Sequence, residues 1–217
     1  MIANTPGQNC SIHIIECLSS RICHDLVSPI GAIHNGTELL TELGPGGIDD
    51  ALGLIQHSAS QASARLKCFR LAYGQAGLDS NIKFDDIHNT FRDYIGSERL
   101  QFQGHVGDLG AVLDTPKGFM KALLNVLLIA GECLPRGGLV KSDIVGTSDA
   151  IITAEGDGAI FKPDINDCIN NLMSDIDVTP KIVHAYLLGY MLKTYRLKLQ
   201  VISQDARAVT FKLSMRD

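Results

Sequence analysis

From residue 52 onward the apolar side chains Leu52, Ile55, Ala59, Ala62, Leu66, Phe69 and Tyr73 recur in unbroken steps of three and four across three heptads. A helix with that period buries a narrow seam against other helices, so the chain must supply helical partners for it. One partner lies just upstream. Ile15, Leu18, Ile22, Leu26, Ile30, Ile33 and Leu40 fall on one face of a helix predicted over residues 11–43. Gly44-Pro45-Gly46-Gly47 ends it with both helix-stopping residue types. The second helix begins near Asp49 and Asp50, acids suited to a helix N-terminus. A hairpin of two such helices cannot cover both of its apolar stripes, whereas two hairpins paired in a homodimer form a four-helix bundle that does. The alternative packs the seam on the chain's own C-terminal half and leaves a monomer.

After a short polar stretch at residues 74–80 the pattern changes to mixed α and β. A helix is predicted over 84–95, a strand over 99–105, and a long apolar helix from Pro116 to residue 134, closed by Pro135-Arg136-Gly137-Gly138. Strands at 139–145 and 150–154 follow, then helices at 165–173 and 181–195 and strands at 198–203 and 208–213. The alternation in Val209-Thr210-Phe211-Lys212-Leu213 gives one buried and one wet face. The expected fold is α plus α/β: a helical hairpin over residues 1–78, then a two-layer α/β sandwich over residues 79–217 with helices on one face of a mixed sheet.

Within the first helix, His24 lies about 200° round from Ile22 at 100° per residue, on what should be the wet face. An exposed imidazole offers a free nitrogen lone pair at cellular pH and acts as a nucleophile when something orients it. Asp25 can fix its tautomer, and Ser28, one turn on, can position a water or a substrate oxygen. Pro29 removes a backbone donor and should kink the helix just past the histidine. The four-residue steps Ile22–Leu26–Ile30 break the heptad at the same place.

The string His24-Asp25-Leu26-Val27-Ser28-Pro29, followed by an apolar helix, resembles the phosphoacceptor box of two-component histidine kinases. Extended through Ile30-Gly31-Ala32-Ile33 and the later Glu38-Leu39-Leu40, it is similar to bacterial cell-cycle histidine phosphotransferases of the ChpT type. That resemblance implies that His24 takes a phosphoryl group from the aspartyl phosphate of one response-regulator receiver domain, including that of a hybrid histidine kinase, and gives it to another. Any magnesium and its acidic ligands would belong to the receiver, and no cofactor is expected on this chain. Asp25 and Ser28 would assist. The docking surface would be the helix face beside His24, where Ser20, Arg21, Gly31 and Asn35 stand at one- to three-turn spacing.

The order of the later elements resembles the ATP-binding (Bergerat) domain of histidine kinases, whose motifs can be checked residue by residue. Aligned on Pro135-Arg136-Gly137-Gly138, the first asparagine of the kinase pattern matches Asn125, but the magnesium-binding position is Ile129, which has no oxygen to offer. The aspartate that reads adenine is replaced by Ala154, with Glu155 and Asp157 as substitutes only if the register slips. Asp177-Val178-Thr179-Pro180 stands where a glycine-rich phosphate loop is expected. These departures imply a degenerate domain without nucleotide motifs.

Composition narrows the remaining classes. The 217 residues are 45% hydrophobic, enough for a real core, and a net charge of −5 argues against a nucleic-acid partner. No apolar run reaches the ~20 residues of a membrane span, and the N-terminus lacks a signal-peptide pattern, so a cytoplasmic protein is expected. The six cysteines lack C-x-x-C spacing and fit packing residues or free thiols rather than a metal site. The function expected is phosphorelay transfer through His24. Alternatives are a histidine autokinase, a response-regulator phosphatase in which Ser28 orients water, and a non-catalytic adaptor of a signalling kinase.

Overall fold

The computed structural model describes residues 12–42, 47–96, 99–106, 115–146 and 148–216. Cys10 and most of the Gly44–Gly47 helix stop therefore lie outside the described residues. Two long helices, α1 (Ile12–Glu42) and α2 (Ile48–Ala72), form an antiparallel hairpin. A 3-10 turn at Gln75–Leu78 leads to α3 (Phe84–Ile95), β1 (Leu100–Val106), α4 (Phe119–Glu132), β2 (Gly138–Val145) and β3 (Asp149–Glu155). α5 (Pro163–Ile169), α6 (Val183–Thr194), β4 (Leu197–Gln204) and β5 (Ala208–Met215) complete the chain.

The five strands make one sheet in the order β1-β2-β3-β5-β4. Only β1 and β2 run parallel, joined by α4 as the crossover, and the remaining pairs are antiparallel. Val140, Ser142 and Ile144 of β2, Ala150, Ile152 and Ala154 of β3, and Val209, Phe211 and Leu213 of β5 are buried at alternate positions. This is the one-sided alternation of a sheet whose other face meets solvent. Helix α4 is buried at every residue from Phe119 to Ala130 and touches α2, α3, α6 and the sheet, so it is the central element of the core. Among the described residues, no helix is long and apolar enough to cross a membrane.

Three features of the structure bear on the sequence expectations. The buried positions of α1 are Ile14, Cys17, Pro29 and Gly36, while Ile15 and Ile30 of the expected face are 56% and 54% exposed. The helices approach closely at Gly36, where a Cβ would sit 2.6 Å from Ile55 Cγ1, while Ile22, Leu26, Ile33 and Leu40 are half-buried. On α2, Ala62 and Phe69 are buried, and Leu52 and Leu66, which one hairpin was not expected to cover, are 41% and 53% exposed. Lastly, α5 stops at Ile169 rather than residue 173. Asn171 adopts φ 55°, and the Leu172 N–H donates to the Asp167 carbonyl, a left-handed helix ending.

The hairpin is not isolated from the rest. Ile14, Cys17, Cys68, Leu71 and Ala72 belong to the same continuous core as α4 and the sheet. Lys121 Nζ of α4 donates to the carbonyls of Tyr73 and Gly74 at 3.1 and 2.9 Å, placing a cation on the C-terminal end of α2.

Candidate functional site

His24 stands on α1 with 89% of its side chain exposed, the wet-face position that the helical period requires. Its Nδ1 lies 3.3 Å from Asp25 Oδ1, and the Asp25 side chain is 23% exposed. In the neutral tautomer that donates from Nδ1 to this carboxylate, the lone pair is left on Nε2, in solvent. That arrangement can present Nε2 as a nucleophile. Ser28, Ser20, Gly31 and Asn35 are all exposed along the same helix.

Arg21 does not join that open surface. Its side chain is 14% exposed, and its guanidinium donates from Nη2 to Glu132 Oε1 at 2.6 Å and from Nη1 to the Lys181 carbonyl at 2.8 Å. Glu132 Oε2 lies 3.0 Å from Nε2 of the fully buried His184. Partial burial pushes the Glu132 carboxyl up, but His184 and Arg21 more than offset this and hold it at about 2. The residue read from sequence as a docking contact instead fixes α1 to α4 and α6, one turn from the histidine. Helical spacing shows which face a residue occupies but not what folds back onto it.

The same fold-back explains the segment aligned with the kinase phosphate loop. The Val178 carbonyl accepts from His13 Nε2 at 2.8 Å and from Cys17 Sγ at 3.3 Å, so residues 177–181 serve as a seat for α1. Asn125 is buried, its Nδ2 donating to the Ala72 carbonyl at 3.0 Å and the Lys121 carbonyl at 2.9 Å. Ile129 is buried beside a cavity of about 20 Å³ that Glu132, Ile160, Phe161, Ile165 and Ile182 help to line. Ligand sites are ~300–1,000 Å³, so these residues do not fit a nucleotide and its metal. Ala154, at the adenine-reading position, is fully buried in β3.

One neighbour of the histidine turn escapes the motif. Pro29 has no N–H for the Asp25 carbonyl, its partner four residues back, and Nη1 of Arg65 on α2 donates to that carbonyl instead. The proline itself carried the signal, because a carbonyl orphaned inside a helix must find another donor. Glu132 and His184 offered no comparable cue.

Residues 84–207 match the profile of the histidine phosphotransferase C-terminal domain, more than half of the chain. The chain belongs to the histidine phosphotransferase family. It is 43% identical over 145 residues to the protein phosphotransferase ChpT of Brucella abortus (strain 2308), an alignment that spans 64% of this chain and 66% of that protein. A solved bacterial phosphotransferase structure superposes with a TM-score of 0.79 at 31% identity, covering 97% of this chain and 100% of the other. A histidine kinase domain from Erythrobacter litoralis EL346 aligns at 12% identity and TM-score 0.44 over 94% of this chain and 92% of that one. In this histidine phosphotransferase the matched profile covers the α/β half, while the exposed histidine lies on the hairpin before it.

Proposed function

We propose that this protein relays phosphoryl groups between response-regulator receiver domains through Nε2 of His24. In the forward step the Nε2 lone pair attacks the phosphorus of a receiver's aspartyl phosphate. The P–O bond to the aspartate breaks, an N–P bond forms, and the aspartate leaves as carboxylate. Asp25 holds the Nδ1 proton and stabilises the positive charge that gathers on the ring. The reverse attack by a second receiver's aspartate passes the group on. Such transfer depends mainly on in-line positioning and charge stabilisation, so an accessible nucleophile and a docking surface suffice on this side, with magnesium supplied by the receiver. The observation that carries the reading is the exposed His24 ring with Asp25 Oδ1 3.3 Å from Nδ1. Ser20, Ser28, Gly31 and Asn35 provide small, exposed neighbours for a docked receiver.

The working unit in this reading is a homodimer in the cytoplasm, with residues 1–78 as the dimerising and phosphate-carrying part and residues 79–217 as a kinase-like domain that has lost its nucleotide site. The exposed Ile15, Ile30, Leu52 and Leu66 support it, because two hairpins would cover in a four-helix bundle what one leaves open. A chase experiment tests the function. Label carried on a purified receiver should pass to this chain as acid-labile phosphate and then to a second receiver; a label that stays on the first receiver or goes directly to inorganic phosphate contradicts it.

A further inference from the structure

We infer that Arg65 is a positioning residue for phosphoryl transfer at His24, acting through the main chain of Asp25; this rests on the proposed role of His24. Helix α1 runs unbroken from Ile12 to Glu42 although Pro29 lies inside it. The proline deletes the N–H that would close the turn onto the Asp25 carbonyl, and a guanidinium from the neighbouring helix takes its place. The exchange changes what holds the residue next to the nucleophile. A backbone hydrogen bond would tie Asp25 only to its own helix, whereas Arg65 ties it to α2 and sets the rotation of α1 against α2 at that level.

Asp25 is the residue that must be held. Its carboxylate lies 3.3 Å from His24 Nδ1, and a shift of its main chain moves the carboxylate and the imidazole together. Four residues after Asp25, Pro29 is buried, while His24 is almost fully exposed, so packing constrains one side of this turn and not the ring itself. The Arg65 bond lies on the constrained side and supplies the orientation that solvent cannot. Arginine suits the task because its charge is permanent and its planar fork is pre-organised, so less freedom is lost per bond than with lysine.

The structure itself supplies a suppressor. Replacing Pro29 with alanine restores an N–H that can close onto the Asp25 carbonyl and make Arg65 dispensable. The full-length wild type, Arg65→Ala, Pro29→Ala and the double variant would be compared for phosphorylation rate from a phosphorylated receiver and from phosphoramidate, a small donor that needs no docking. Since displacement of a reacting group by about 1 Å can cost ~100-fold, Arg65→Ala should slow both donors by about 10-fold or more, and the double variant should recover most of that loss. An unchanged rate in Arg65→Ala overturns the inference, as does a loss that Pro29→Ala fails to rescue. A loss confined to the receiver reaction would make Arg65 a docking contact instead. Should Arg65→Ala not fold, Arg65→Lys, which keeps a donor, is predicted to show an intermediate rate that Pro29→Ala raises; no rise overturns the inference. Wild type that takes label at no histidine would instead refute the proposed function.

Discussion

Arg21 of α1 and Glu132 of α4 meet at 2.6 Å, so the helix that carries His24 is clamped to the α/β half one turn before that histidine. His184 approaches the other Glu132 oxygen at 3.0 Å, and the carboxylate joins three helices. The α/β half thus helps to fix the direction in which α1 leaves the core.

That clamp has a pH signature. Glu132 is held at about 2 in the folded protein against ~4.3 for a free glutamate, so its contribution is complete above pH ~4.3 and lost as pH falls towards 2. The side chain is 40% exposed, and solvent screening limits the ion pairing to about 1 kcal/mol. Glu132→Gln should lower the thermal midpoint at pH 7, with the gap to wild type closing below pH 4. A constant gap down to pH 2.5 would show that the carboxylate charge is not what stabilises.

His88 adds a second loss of stability in acid, beginning at higher pH. It is buried, its Nε2 3.1 Å from Ser142 Oγ, and burial pushes it down to about 4. The unfolded chain therefore binds the proton first, and stability is full above ~6.5 and falls as pH drops towards 4, by roughly 3 kcal/mol. Urea unfolding at pH 7, 6, 5 and 4 should show this decline, and His88→Gln should flatten it. Gly104→Ala should destabilise, because a Cβ there would sit 2.4 Å from His88 Nδ1.

Leu66 offers a test of the proposed dimer. It is half exposed within one chain, so Leu66→Asp leaves the hairpin's own contacts intact but buries a charge in any four-helix bundle. Light scattering should show wild-type dimer at tens of micromolar and a folded Leu66→Asp monomer. A wild-type monomer would rule out the bundle.

Calorimetry with ATP and magnesium should detect no saturable binding in the micromolar to low-millimolar range where enzymes hold substrates. Ile129 stands at the magnesium-binding position with no oxygen to offer, and the cavity beside it measures only about 20 Å³. Saturable heat with a stoichiometry near one would require that region to open.

Much of this was legible in the sequence, and the exceptions have a common cause. Local pattern sets element boundaries, so α3 falls at the predicted Phe84–Ile95 and α1 within a residue of either predicted end. The exposure of His24 follows from helical period, and its proposed role from Asp25, Ser28, Pro29 and the motif around it. Missed were the facts that depend on what lies opposite: Arg21 turned inward to Glu132, and residues 177–181 became a seat for α1. Arg65 stands between these cases. Pro29 announced an orphaned carbonyl, but only the fold names the donor.

The central claim is that His24 carries the phosphoryl group. The direct measurement is acid-labile, alkali-stable label on full-length wild type and His24→Gln after incubation with a phosphorylated receiver, with circular dichroism confirming that both are folded. An exposed helix position tolerates the change at small cost, so the variant should keep its fold. We predict rapid labelling of wild type and none of His24→Gln; equal labelling of the two would contradict the account.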